Sequence, residues 1–195
     1  MNSSAQAMQS FSLFVLCPIL AIAVFTDIRE HRIPNLLIVI TLGLAFLFQA
    51  TVGGTEGIAA ALGGMAIGLL FFLPFYVAGG MGAGDVKLMI GVGAFLGPST
   101  TVLASALTLM AGAILGILII IWRGALGALV RRYRAMLRAF MGTGHVFYLP
   151  PTDGDVVAMQ PFPYAAAIAA GTCLAILWSM GMDPPDTVLA FLWTR

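Results

Sequence analysis

Charge is what this sequence has least of. Of its 195 residues only 9% are charged and 61% are hydrophobic, and the mean hydropathy is +1.03. A water-soluble domain of this size carries about 25% charged residues, so a fully water-facing surface is excluded and lipid is the expected solvent. Cysteine is also scarce: Cys17 and Cys173 each lie in an apolar run, and no CxxC pair, Cys/His cluster or HExxH occurs. That pattern offers no zincin or structural zinc site, and neither a metal nor a cofactor is expected. The two cysteines read as small lipid- or core-facing residues. Nucleic acid is not expected as a partner either, because the one basic cluster follows a membrane span. The N-terminus lacks the charge pattern of a secretory signal. Residues 1–10 hold no Lys or Arg, and Arg29 and Arg32 follow the apolar stretch, the reverse of signal polarity. Although Ala21-Ile22-Ala23 resembles a cleavage site, the stretch reads as a retained first span.

What is present is a series of apolar runs. A spanning helix needs about 20 largely apolar residues, and runs of this kind cover 10–26, 34–52, 57–78, 101–122 and 162–180. A shorter run, 86–96, lies between Asp85 and Gly97-Pro98. At about 1.5 Å per residue it falls short of a bilayer, and as a short helix it brings the expected number of transmembrane helices to about six. The expected fold is all-α and polytopic, a single membrane-embedded domain over 1–195 with no soluble domain and the lipid bilayer as its surroundings.

Basic residues orient these spans. Arg29 and Arg32 lie in the connector 27–33, Lys87 borders 79–85, and Arg123, Arg131, Arg132, Arg134 and Arg138 fall in 123–161. The connectors 53–56 and 97–100 hold no Lys or Arg. Cytoplasmic loops carry the excess of positive charge, so the first, third and fifth connectors are expected in the cytoplasm and both termini outside. Within 123–161, Leu126, Leu129, Val130, Tyr133, Met136, Leu137 and Phe140 recur at three- and four-residue spacing, with arginines 131, 134 and 138 on the other face. This amphipathic segment suits a membrane-surface anchor or a docking surface at the cytoplasmic boundary.

The eight acidic residues are few enough to weigh one by one. Glu30, Glu56, Asp153, Asp155, Asp183 and Asp186 all fall in connectors or beyond the last span, where water is at hand. Asp27 and Asp85 differ, because each ends at a span and the topology puts both at one membrane face. An ionisable group at membrane depth is costly and marks a functional site by default. Two carboxyl groups that share a proton make a hydrolytic pair, one activating water while the other polarises a carbonyl; their titration belongs to the pair, so no separate roles follow. The glycines of Gly79-Gly80-Met81-Gly82-Ala83-Gly84 would admit unusual backbone angles and the close approach of an extended substrate strand. Two other readings stand beside this one on the residues alone. Asp85 precedes a helix and suits an N-cap, and Asp27 suits an ion pair with Arg29, Arg32 or Lys87.

The flanking residues favour catalysis. Asp27-Ile-Arg-Glu-His-Arg-Ile-Pro-Asn35 resembles the first signature of the prepilin peptidases, and Gly82-Ala-Gly-Asp-Val-Lys-Leu88 resembles their second, the GxGD motif followed by a lysine. Pro163-Tyr164-Ala165 is similar to a third, looser feature. The resemblance implies that Asp27 and Asp85 are catalytic aspartates of a GxGD membrane peptidase. It implies cleavage of the basic leader of a prepilin or pseudopilin at the cytoplasmic face of the bacterial inner membrane. Gly82, Gly84, Lys87, Pro34 and Asn35 would bind substrate or support the pair. Lys87 reads either as a snorkelling cation or as a member of the site, Pro34 and Asn35 as the start of the second helix, and Glu30 as an acidic group beside Arg29 and Arg32 that a basic leader would need. With no cysteine pairs and little chain before the first span, the sequence resembles the short form found with tight-adherence (Flp-type) pili, for which N-methylation is not expected.

Rival classes are a small transporter or channel with aspartates facing a pore, and a non-enzymatic pilus-assembly platform. The first would put ionisable groups near the bilayer midplane, whereas here the spans are otherwise nearly uncharged. The second, with a decayed pair, would expect one aspartate or the glycine motif to be lost, and both are intact. A presenilin-type peptidase shares GxGD, but its other aspartate follows a tyrosine, whereas Thr26 precedes Asp27.

Overall fold

The computed structural model describes residues 3–122 and 163–181, with single positions between them at 124, 127, 134, 138, 141 and 142. Apart from those positions, the amphipathic segment and irregular loop expected over 123–161 lie outside the described residues. Among the described residues every regular element is a helix: α1 (Ser3–Glu30), α2 (Asn35–Val77), α3 (Ala83–Trp122) and α4 (Tyr164–Gly181). Parts of α1 (Ser10–Glu30), α2 and α3 are long and apolar enough to cross a membrane, and α4 is a shorter apolar helix. Large apolar side chains such as Phe14, Leu36, Leu47, Leu70 and Val77 are exposed on them, which an acyl-chain environment accommodates and water does not.

Among the described residues, four helices in place of the expected six follow from how narrow two of the connectors are. At 43 and 40 residues α2 and α3 are each about twice the length that a bilayer needs, and each is broken at a single residue. Gly54 takes φ 56 in α2 and Gly97 takes φ 71 in α3. That left-handed region costs an L side chain about 1–2 kcal/mol, so glycine permits a reversal without a loop. Pro98 then opens the next segment with a preset helical φ. Contacts show the reversal in α2. Thr41 and Gln49 meet Gly91 and Ala94-Phe95 in ascending order, whereas Gly64 and Gly68 meet Gly93 and Met89 in descending order. The two halves of α2 therefore run in opposite directions.

Each break frees backbone groups, and in lipid an unpaired carbonyl costs several kcal/mol. The amide of Gln49, 6% exposed, answers at α3, with Nε2 donating to the carbonyls of Phe95 at 3.0 Å and Ala94 at 3.4 Å. The Thr101 hydroxyl donates to the carbonyls of Gly97 and Gly93. Close packing rests on missing side chains: a Cβ on Gly64 would fall on the Gly93 carbonyl oxygen, and one on Gly93 would fall on that of Gly64. Small residues at such a crossing let helix backbones approach in the membrane.

The chain divides into two compact units, Met1–Gly112 with Pro163–Arg195, and Ala113–Phe162. The first unit holds the core. On α1 Leu16, Leu20 and Ala23 are buried, on α3 Leu88, Met89 and Val92, and on α4 Ala165, Ile168, Ala175 and Ile176. The three- and four-residue spacing puts each set on one helix face.

Candidate active site

Asp27 and Asp85 continue these buried stripes. Asp27 lies four residues after Ala23, and Asp85 three and four residues before Leu88 and Met89, so both carboxyl groups turn inward with the core. They are 7% and 8% exposed. α1 extends beyond the expected end of the first span, through Glu30, so Asp27 occupies its last turn. His31 closes the helix at φ 49, its N–H donating to the Asp27 carbonyl at 3.0 Å. Asp85 is likewise inside its helix, in the first turn of α3, which begins at Ala83. It stands three residues after Gly82 and accepts the Gly82 N–H at 3.2 Å through Oδ2. This is the reaching-back half of a capping box, so the helix-cap role read for Asp85 is present in a different position from the N-cap.

The ion-pair reading of Asp27 meets different geometry. Its Oδ2 accepts the backbone N–H of Ala165 at 3.1 Å, while Lys87 Nζ donates to Asn35 Oδ1 at 3.2 Å and the Arg29 guanidinium lies 5.0 Å above the Phe25 ring. Ala165 is the second residue of α4, where the first amides lack helical partners and the helix end carries partial positive charge. The Asp27 carboxylate supplies the missing acceptor. The two aspartates are within electrostatic reach of each other, and Tyr164 is within reach of Asp85. The Tyr164 ring stands edge-on to Phe72 at 6.4 Å, with its hydroxyl end against Gly112.

Both signatures meet here. A Cβ on Gly84 would lie 3.3 Å from Cβ of Ile33, and one on Gly82 would lie 3.1 Å from Asp85 Oδ2. Both glycines therefore serve by leaving room. Positive φ in this turn belongs to Gly79 alone of its four glycines, so Gly82 and Gly84 are not the unusual backbone angles the sequence allowed. Pro34 is the extended N-cap residue of α2, its carbonyl accepting the N–H groups of Leu37 and Ile38, and Asn35 is the first helical residue. Lys87 and Asn35 are exposed at this rim and link the first turns of α2 and α3. The Ala165 amide is the functional group that sequence reading missed. Its signal was the helix start after Pro163, which implied orphan donors in need of an acceptor. Among the described residues no three His, Cys, Asp or Glu side chains gather as a metal site.

The family model described as "Type IV leader peptidase family" matches residues 14–121, a stretch that contains both aspartates. The chain is also similar to the prepilin leader peptidase/N-methyltransferase of Bacillus subtilis (strain 168), with 28% identity over 188 residues. Those residues are 95% of this chain and 60% of the relative, so the chain spans well under two thirds of that protein's length. No solved structure matches.

Proposed function

The chain belongs to the type IV leader peptidase family, and on that premise we propose that it is a membrane aspartic endopeptidase removing the basic leader from prepilins or pseudopilins. Asp27 and Asp85 form its catalytic pair. The observation that carries this reading is their convergence: two aspartates 58 positions apart, each on the inward stripe of its helix, each within the other's electrostatic reach. The protein resides in the bacterial cytoplasmic membrane with six crossings, the reversals at Gly54 and Gly97 letting α2 and α3 each supply two. The basic residues Arg29, Arg32 and Lys87 near the aspartates support a cytoplasmic site.

The pair works with one proton between two carboxyl groups. The ionised member takes a proton from water as its oxygen attacks the scissile carbonyl, and the protonated member donates to the carbonyl oxygen. Collapse of the tetrahedral intermediate then sends a proton to the leaving amine. The buried site keeps bulk water away, which strengthens these interactions. Ala165 holds the Asp27 carboxyl, the glycines Gly82 and Gly84 keep the turn slim beside Asp85, and Pro34, Asn35 and Lys87 frame the rim. Of the two activities in the relative's name, the peptidase alone is proposed here, because the matched residues 14–121 contain the pair it needs.

The test is co-expression with a candidate prepilin, followed by the mass of the pilin recovered from the membrane. Loss of the leader by a single cut before the hydrophobic helix supports the proposal, and an uncut prepilin beside correctly inserted protein contradicts it.

A further inference from the structure

The only two cysteines of the chain take no part in the site, yet they are neighbours. Cys17 on α1 and Cys173 on α4 are both free thiols, near enough for each to feel the other. The helices that carry them pack along each other, and they are already joined where Ala165 holds Asp27. From that contact the chain runs ten residues back along α1 to Cys17, about 15 Å of helix, and eight forward along α4 to Cys173, about 12 Å. Two antiparallel helices are therefore matched at two levels, bonded carboxyl to amide at one and with a thiol beside a thiol at the other. Cys17 is exposed, and with Ser10, Leu13, Phe14 and Pro18 it lines an open, apolar groove of about 630 Å³. A molecule dissolved among acyl chains can reach it there.

We infer that Cys17 and Cys173 are an oxidation site, closing to a disulfide that staples the first helix to the last within the membrane. Two S–H bonds break, one S–S bond forms, and two protons and two electrons leave. A lipid-soluble quinone takes all four and becomes the quinol. Exchange with a water-borne disulfide is a poor route, because it proceeds through a thiolate, an ion that an acyl-chain environment disfavours. The staple holds α1 and α4 in the register at which Ala165 meets Asp27. By closing a long loop it also restricts the unfolded chain, which raises stability.

The experiment uses the full chain in phosphatidylglycerol/phosphatidylethanolamine vesicles, treated with a fully ring-substituted short-tail benzoquinone or with oxidised glutathione. Remaining thiols are then alkylated and peptides analysed without reductant. The expected result with quinone is a peptide pair joined through Cys17 and Cys173 of one chain, lighter by two hydrogens, and a higher unfolding temperature. Glutathione should leave both thiols alkylatable. Cys17→Ala and Cys173→Ala, mild changes in volume, should each lose the cross-link and the rise in unfolding temperature. Thiols that stay alkylatable after quinone, cross-links solely between chains, or cross-linking by glutathione alone would each overturn the proposal. Because the readouts are mass and melting, a failure here is separate from any failure of the peptidase reading.

Discussion

Asp27 and Ala165 stand 138 positions apart in the chain, and the backbone N–H of Ala165 donates to the Asp27 carboxyl at 3.1 Å. This bond ties the last helix to the first signature, and it gives the Pro163-Tyr164-Ala165 segment a physical task. Ala165→Pro removes the donor at the second residue of α4, where proline is compatible with a helix. A hydrogen bond to a charged group contributes about 1.5–3 kcal/mol, so leader cleavage should fall roughly ten- to a hundredfold while the protein still inserts. Single-turnover rates on membranes matched for protein content check this, with Ala165→Gly, which keeps the donor, as the comparison.

The crossing of α2 and α3 is set by bare backbone. Gly64→Val or Gly93→Val puts a side chain onto a carbonyl of the other helix, and overpacking of this kind costs about 1–3 kcal/mol or more. Both variants should show lower unfolding temperature and lower abundance in the membrane. Gly43 has open space around it, so Gly43→Ala should be neutral or slightly stabilising, by about 0.5–1 kcal/mol. Thermal unfolding in a single detergent compares the three.

Lys87 and Asn35 bond at an exposed rim. Exposed polar pairs of this sort contribute about 0.2–1 kcal/mol, so Lys87→Met and Asn35→Ala should each reduce cleavage by no more than about fivefold. A loss near that of an aspartate variant would instead make Lys87 part of the catalytic machinery, the other role its position beside Asp85 allows. Initial rates on one prepilin measure the difference.

The proposed dyad chemistry has a pH signature. At low pH both carboxyl groups are protonated and the base is missing; at high pH both are ionised and the acid is missing. Cleavage should therefore trace a bell whose two apparent pKa values belong to the pair. Rates measured across pH with the protein held in vesicles test this, and a profile that rises to a plateau and stays there would count against a shared proton.

Much of this was legible in the sequence because the physics was periodic or local. The apolar runs marked where helices lie, and Gly54 and Gly97 stand inside the two connectors free of Lys and Arg. The form of those breaks was not legible, since a one-residue reversal needs a left-handed glycine and then donors such as Gln49 and Thr101 from elsewhere to pair the freed carbonyls. For the candidate site, the buried stripes place Asp27 and Asp85 inward, and this could be read from spacing to Ala23 and Leu88. What spacing could not supply was the partner of each carboxyl. Asp27 had three nearby cations as candidates, and its bond goes to a backbone amide from the far end of the chain. Asp85 read as a helix cap before its helix, and it caps from within the first turn.

The most direct test of the central claim is leader removal from a co-expressed prepilin by Asp27→Asn and Asp85→Asn, each compared with the native chain. These changes keep shape and polarity while removing a proton-sharing carboxyl. The account predicts that either one abolishes cleavage while insertion and abundance stay unchanged. Normal cleavage by either variant would contradict it, and would reduce that aspartate to a helix-end fixture.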